Sequence, residues 1–423
     1  MKVINLQIRH LAYLVFFTLV FNLSSCYFFK AMKYKKYPLE KLDEFPMVKF
    51  QRSEQPFKFY QGSMKPAIKA ELDSLLYGSN RYAFLVIRND SILYEFYNNK
   101  IADSTLIHSF SVAKSYVSAL VAMAVEEGKI KSLNDPITIY LPELLKRDIR
   151  FQKITIQHVL NMRSGIKSSE NYFNPMSDVL RLGFGKNVNG KALRISIEKE
   201  PNQKFEYKSI NTQLLGMIVE RATGRKLQDY YYEKLHKPLQ LEHDATWIYD
   251  DEKHKSLRAF CCMNLSARDY AKFGRLILNK GNWQGTQLVS KEWVETNLNL
   301  DNRKTTEGYK NQWWSNIGYK IFNDSIAMQK FVLNNPNIIK VDRTIHAINP
   351  EAISKDQKDE VKKYSMVTYF KDGIHAQGLI GQYIIISPLK NTIVVILSNT
   401  LNPNQPLKRG GLERIESILE SEL

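Results

Sequence analysis

A chain of 423 residues with 44% hydrophobic and 12% aromatic side chains can bury a large core, in one big domain or two. Its formal net charge of +17 is spread along the whole length with no nucleic-acid signature beside it, which leaves nucleic acid out as a partner. Three cysteines and eight scattered histidines, with no His-Glu-x-x-His and no Cys/His cluster, exclude a disulfide scaffold and indicate neither metal nor cofactor.

Lys2 and Arg9 precede an apolar run from Leu11 to Phe21, followed by Leu23-Ser24-Ser25-Cys26. A basic start, a short apolar stretch and small residues before a cut describe an export signal over residues 1–25, and the run is too short to span a membrane. Leu-Ser-Ser-Cys resembles the bacterial lipobox, so Cys26 is expected to carry lipid and to begin the mature chain. The expected location is the bacterial cell envelope, periplasmic or at the cell surface, with the membrane engaged through that lipid. The basic surface suits anionic lipid or cell-wall polymer. Residues 26–60 are polar, basic and aromatic without a period, and read as a tether to a domain over 61–423.

Residues 66–77 place Ile68, Leu72, Leu75 and Leu76 on one helical face. Tyr82 to Arg88 and Ser91 to Tyr97 are β-rich runs around Asn89-Asp90, a hairpin signal. From Ala113 to Val125 the apolar positions recur every three or four residues, the period of a buried helix, and Gly128 marks its stop. Thr155 caps a helix over 156–162, and Thr212 to Thr223 forms another that ends at Gly224. The stretch of about 129–250 is therefore a mostly helical subdomain. Cys261 and Cys262 are adjacent, and no structural bridge is expected of them. Ala267 to Leu278 is amphipathic and helical. Residues 321–365 are polar and basic with poor periodicity, and read as an inserted excursion near the rim of the site. Gln382 to Ser387 and Thr392 to Ser398 form a second hairpin, and a last helix spans about 412–419. Strands near both ends with helices between predict an α/β fold of the α+β type. One antiparallel sheet built from the two terminal parts is flanked by helices, with the helical subdomain inserted.

The chemistry centres on Ser111 and Lys114. A serine hydroxyl is a weak nucleophile until a base within hydrogen-bond reach takes its proton. A lysine one helical turn away, packed among apolar neighbours, is desolvated, so its neutral amine can be that base. Ser-x-x-Lys recurs at Ser164/Lys167, Ser196/Lys199 and Ser387/Lys390, but only Ser111/Lys114 opens a long apolar helix.

Further segments make the pattern specific. Phe205-Glu206-Tyr207-Lys208-Ser209-Ile210-Asn211 with Ala222-Thr223-Gly224, Leu160-Asn161-Met162-Arg163-Ser164-Gly165, and Ala376-Gln377-Gly378-Leu379-Ile380-Gly381-Gln382 resemble, in order and spacing, the motifs of serine β-lactamase-like hydrolases over roughly residues 65–420. That superfamily includes class C β-lactamases and penicillin-binding carboxypeptidases. The nearest likeness is to 6-aminohexanoate-dimer hydrolases, on Tyr207-x-Ser209, the Ala376 segment and Ala259 to Asp269. The resemblance implies a β-lactamase/transpeptidase-like fold and a Ser111 acyl-enzyme. It makes Lys114 the base and Tyr207 the proton relay, with the backbone N–H groups of Ser111 and Leu379 as the oxyanion hole. It assigns Ser209, Gln377 and Gly378 to substrate binding. Ala376 stands where penicillin-recognising relatives carry Lys or His, and His375 beside it points to the other face. The expected substrate is therefore a small-molecule or peptide-like ester or amide. The alternatives are a D-Ala-D-Ala carboxypeptidase or β-lactamase, and a non-catalytic cell-wall-binding lipoprotein.

Overall fold

The structure, a computed structural model, describes Tyr27, Lys30, Lys33 and residues 39–77, 79–299, 308–322, 324–346 and 363–398. The export signal, Cys26 and the helix expected at 412–419 lie outside the described residues. In chain order come helix α1 (Pro66–Leu76), strands β1 (Arg81–Arg88) and β2 (Ser91–Tyr97), and helices α2 (Ala113–Glu126), α3 (Ser209–Thr223) and α4 (Ala267–Leu278). They are followed by strands β3 (Trp313–Phe322), β4 (Ile338–His346), β5 (Lys363–Gly378), β6 (Gln382–Ser387) and β7 (Thr392–Ser398).

One sheet runs from edge to edge as Tyr309–Lys310, β3, β5, β6, β7, β1, β2 and Tyr60–Gln61, with β4 also paired to β5. All these pairs are antiparallel except Tyr60–Gln61 against Ser91–Ile92 of β2. The two terminal parts meet at its centre, where Val394 of β7 faces Val86 of β1. The β1–β2 turn works because Asn89 (φ 49°) and Asp90 (φ 59°) both adopt the left-handed conformation that a two-residue hairpin turn needs.

Every residue of β7 is buried. Ile393, Val395 and Leu397 face the main core with α2 and α4, while Val394 and Ile396 pack on Leu72 and Leu76 of α1. Strand alternation thus covers both faces of the sheet with helices. Helix α4 lies so close that a Cβ on Gly274 would come 2.8 Å from Ile393 Cγ2. Two ion pairs pin it to the hairpin, Arg268 to Glu95 (2.6 Å) and Arg275 to Asp90 (2.6 Å). Helix α2 is buried from Ala113 to Ala124, between the sheet and α3. Cutting its Leu120 back to alanine would cost about 2–5 kcal/mol.

Part of the expected tether is built into the domain. Met47–Phe50 pairs with Ala245–Ile248, and Phe50 and Phe59 are buried. The reason is aromatic: the Phe50 ring sits 5.2 Å from that of Tyr231 and 5.3 Å from that of His236. The segment expected as an excursion over 321–365 also differs from the sequence reading. Residues 321–322 complete β3, Ser325–Leu333 is a helix, and β4 pairs with the outer half of β5. Phe322, Met328 and Val367 make a small core of their own. Exposed Lys320 and Lys340 hid the strand pattern in the sequence. Among the described residues no helix is long and apolar enough to cross a membrane.

Candidate active site

Ser111 sits in a short 3-10 turn, Phe110–Val112, that runs directly into α2. Phe110 has φ 45°, a conformation that costs a non-glycine residue free energy and recurs at functional sites. The Ser109 N–H donates to the Met263 carbonyl (2.7 Å), and the Met263 N–H donates back to Ser109 Oγ (3.1 Å). The turn is thereby tied to the 258–263 segment. From the other side comes the end of β5, where a Cβ on Gly378 would lie 2.4 Å from the Ser109 carbonyl oxygen. Only glycine permits that approach, and it brings Leu379 beside Ser111 at the mouth of the same recess.

Lys114, 1% exposed, has its Nζ 3.0 Å from Ser111 Oγ, 3.1 Å from Ser209 Oγ and 2.9 Å from the Phe260 carbonyl oxygen. Burial lowers its pKa to about 8, although the nearby Glu170 carboxylate pulls the other way. Ser209 opens α3, and its hydroxyl donates to Glu170 Oε1 (2.5 Å) while its N–H donates to Glu170 Oε2 (2.8 Å). Because that hydroxyl proton is committed to Glu170, Ser209 Oγ faces Lys114 as an acceptor only, and so does the Phe260 carbonyl. The two N–H bonds of a neutral amine satisfy these acceptors and leave its lone pair toward Ser111.

The Tyr207 ring centroid is 5.2 Å from Lys114 Nζ, and the ring stacks on Trp314 at 5.7 Å. Burial raises the phenol's pKa well above its ordinary value, while a hydrogen bond with Ser111 pulls it down, so the phenol keeps its proton at neutral pH. Burial lowers the His108 pKa to about 4 and leaves the ring neutral, against the opposing effect of its hydrogen bond with Asn264 (2.8 Å).

Ser111, Lys114, Tyr207, Ser209, Gly378 and Leu379 therefore converge. The Gln377 amide donates to the Tyr383 hydroxyl (3.2 Å). Ala376 is fully buried, and His375 bonds Asn316 (3.0 Å) on the opposite face. The second Ser-x-x-Lys match is structural in its contacts, with Ser164 donating to Asn211 (2.7 Å). Sequence reasoning missed Glu170 and Tyr172, whose hydroxyl also donates to Glu170 Oε1 (2.7 Å). They lie in a loop without periodicity, and no local signal marks them. It also missed the Cys261–Cys262 disulfide, which closes a tight ring of adjacent residues instead of leaving two free thiols. The backbone accommodates it through Cys262 at φ 77°.

The recess at Ser111 is narrow, with a volume of about 30 Å³. Ser209 and Tyr172 give it a polar side, and Phe110, Val179, Leu180, Phe260 and the cysteine pair an apolar one. Asp250, Asp251 and His254 bring ligand-type atoms within 4.8 Å of one another, but Val188, Asn187 and Ser256 N–H groups already occupy the carboxylates.

Residues 78–416 match the family model described as Beta-lactamase. A 6-aminohexanoate-dimer hydrolase of Paenarthrobacter ureafaciens is 30% identical over 253 residues, 55% of this chain and 63% of that protein, so the match spans less than two thirds of the curated relative. A solved Bacillus anthracis structure assigned as a 6-aminohexanoate-dimer hydrolase aligns with TM-score 0.62 at 20% identity, covering 92% of this chain and 95% of that one. FmtA from Staphylococcus aureus aligns with TM-score 0.54 at 15% identity, covering 88% and 94%. At these identities the two structures establish the fold.

Proposed function

Because this chain belongs to the beta-lactamase family, a family of hydrolases, we propose that it is a serine hydrolase that cleaves esters or amides through a Ser111 acyl-enzyme. The observation that carries the reading is the placement of Lys114 Nζ 3.0 Å from Ser111 Oγ with its other two partners both acceptors. Neutral Lys114 takes the Ser111 proton as Oγ attacks the carbonyl carbon. The developing oxyanion is held by the N–H groups of Ser111 and Leu379. Tyr207 gives its proton to the leaving alcohol or amine and is reprotonated from Lys114. Water then attacks the acyl-enzyme by the same route in reverse, releasing the acid and restoring Ser111.

Ala376, where penicillin-recognising relatives carry a cation, argues for neutral acyl substrates over carboxylate-bearing β-lactams or D-Ala-D-Ala termini. The name of the Paenarthrobacter relative supports an amide among the substrates. A panel of p-nitrophenyl esters, short amides and a fluorescent penicillin tests this. Turnover of esters or amides without penicillin labelling is expected; penicillin labelling alone would favour the carboxypeptidase reading. We further propose that the protein is an exported lipoprotein anchored through Cys26, its basic surface resting on anionic lipid or cell-wall polymer. Mass spectrometry of the mature N-terminus tests that, with an acylated Cys26 as the expected first residue.

A further inference from the structure

We propose that the Cys261–Cys262 disulfide is a positioning and specificity element of the hydrolytic site, fixing the base and limiting the substrate to a short apolar acyl group. This rests on the serine hydrolase reading above. The disulfide lies in the segment that holds the catalytic pair. Its neighbour Phe260 supplies the carbonyl that accepts from Lys114 Nζ at 2.9 Å. Its other neighbour, Met263, exchanges hydrogen bonds with Ser109, two residues before the nucleophile. The Cys261 carbonyl accepts from the buried Trp247 indole (2.8 Å), and the Cys262 carbonyl from the Ile248 N–H (3.0 Å), so the ring is anchored in the core behind the site.

Both sulfur-bearing residues also line the recess beside Ser111, together with Phe110, Val179 and Leu180. A recess of about 30 Å³ is far below the volume of a drug-sized ligand site and admits only a short group, and its apolar side favours an alkyl chain over a charged one. Opening the bond takes two electrons and two protons from a dithiol, which is itself oxidised to a disulfide, and leaves two thiols. Unbonded sulfur atoms separate to van der Waals distance. The tight ring then opens, the Phe260 carbonyl is released from its fixed place, and the recess wall moves. The enzyme loses a hydrogen bond that orients the base and gains room for a longer acyl chain.

The test compares oxidised protein, protein reduced with dithiothreitol and then reoxidised, and the variant Cys261→Ala/Cys262→Ala. Iodoacetamide mass shifts report the bond, a fluorophosphonate probe reports Ser111, and kcat and KM are read for p-nitrophenyl acetate, butyrate and hexanoate. The expected result is full phosphonate labelling of the oxidised protein and no alkylation of Cys261 or Cys262. Reduction and the double variant should lower kcat for acetate roughly tenfold, about what one lost hydrogen bond is worth. The preference should move toward hexanoate, and reoxidation should restore both. No phosphonate label on the oxidised protein overturns the hydrolase reading and this inference with it. A labelled protein whose kcat and chain-length preference stay within twofold overturns the inference alone. So does alkylation of both cysteines before reduction, or loss of folding by both routes, which would make the bond a scaffold bond.

Discussion

Glu170 holds Ser209 at two points, accepting its hydroxyl at 2.5 Å and its backbone N–H at 2.8 Å. That clamp decides how Lys114 is oriented. With the Ser209 proton turned to Glu170, the serine oxygen can only accept, and one N–H of Lys114 is held on it at 3.1 Å. A carboxylate near a buried amine also favours the ammonium form, so Glu170 opposes the desolvation that makes Lys114 a usable base.

On the proposed mechanism, in which neutral Lys114 is the base, native activity should rise with pH through about 8, where burial sets the Lys114 pKa. Glu170→Gln keeps an acceptor for Ser209 and removes the charge that raises the Lys114 pKa. The rising limb of kcat/KM against pH should therefore move down by roughly half to one pH unit. An unmoved limb would mean that the Glu170 charge does not reach Lys114.

Tyr207→Phe keeps the ring on Trp314 and removes only the phenol. Loss of the proton relay to the leaving group should lower kcat by on the order of 10²–10⁴ with little change in thermal stability. The loss should be greatest for amides, whose leaving amine needs the proton, and smaller for p-nitrophenyl esters, whose leaving group does not. Equal losses on both substrate types would remove Tyr207 from that role.

Gly378→Ala places a Cβ 2.4 Å from the Ser109 carbonyl oxygen, a backbone atom that cannot swing aside. The end of β5 must retreat from the Ser111 turn, which costs about 1–3 kcal/mol and spoils the oxyanion geometry. Thermal melts and kcat should fall together. A variant with native kcat would show that β5 takes no part in holding the oxyanion.

What the sequence reveals and what it hides divide along local against long-range order. The two hairpins are legible because Asn89-Asp90 and Pro388 to Asn391 are turn chemistry between Ile/Val-rich runs. Ser111 and Lys114 are legible because one helical turn separates them. Glu170 is not, because its role depends on a loop meeting the first turn of α3 across 39 positions of chain. The strand Met47–Phe50 is hidden in the same way, since four residues carry no period and their partner, Ala245–Ile248, is distant. The vicinal disulfide runs against the ordinary spacing rule for bridges. It exists through one left-handed residue, Cys262, that sequence alone does not announce.

Covalent labelling of Ser111 tests the central claim most directly. Intact protein is treated with a fluorophosphonate probe at pH 8.5 and the labelled peptide is identified by mass spectrometry, beside Ser111→Ala, Lys114→Ala and, as a control at the second Ser-x-x-Lys, Ser164→Ala. The native protein should carry the phosphonate on Ser111, Ser111→Ala should carry none while keeping its fold, Lys114→Ala should label far more slowly, and Ser164→Ala should label as native. Full labelling of Ser111→Ala, or a native protein modified at any other serine, would contradict the assignment of Ser111 as the nucleophile.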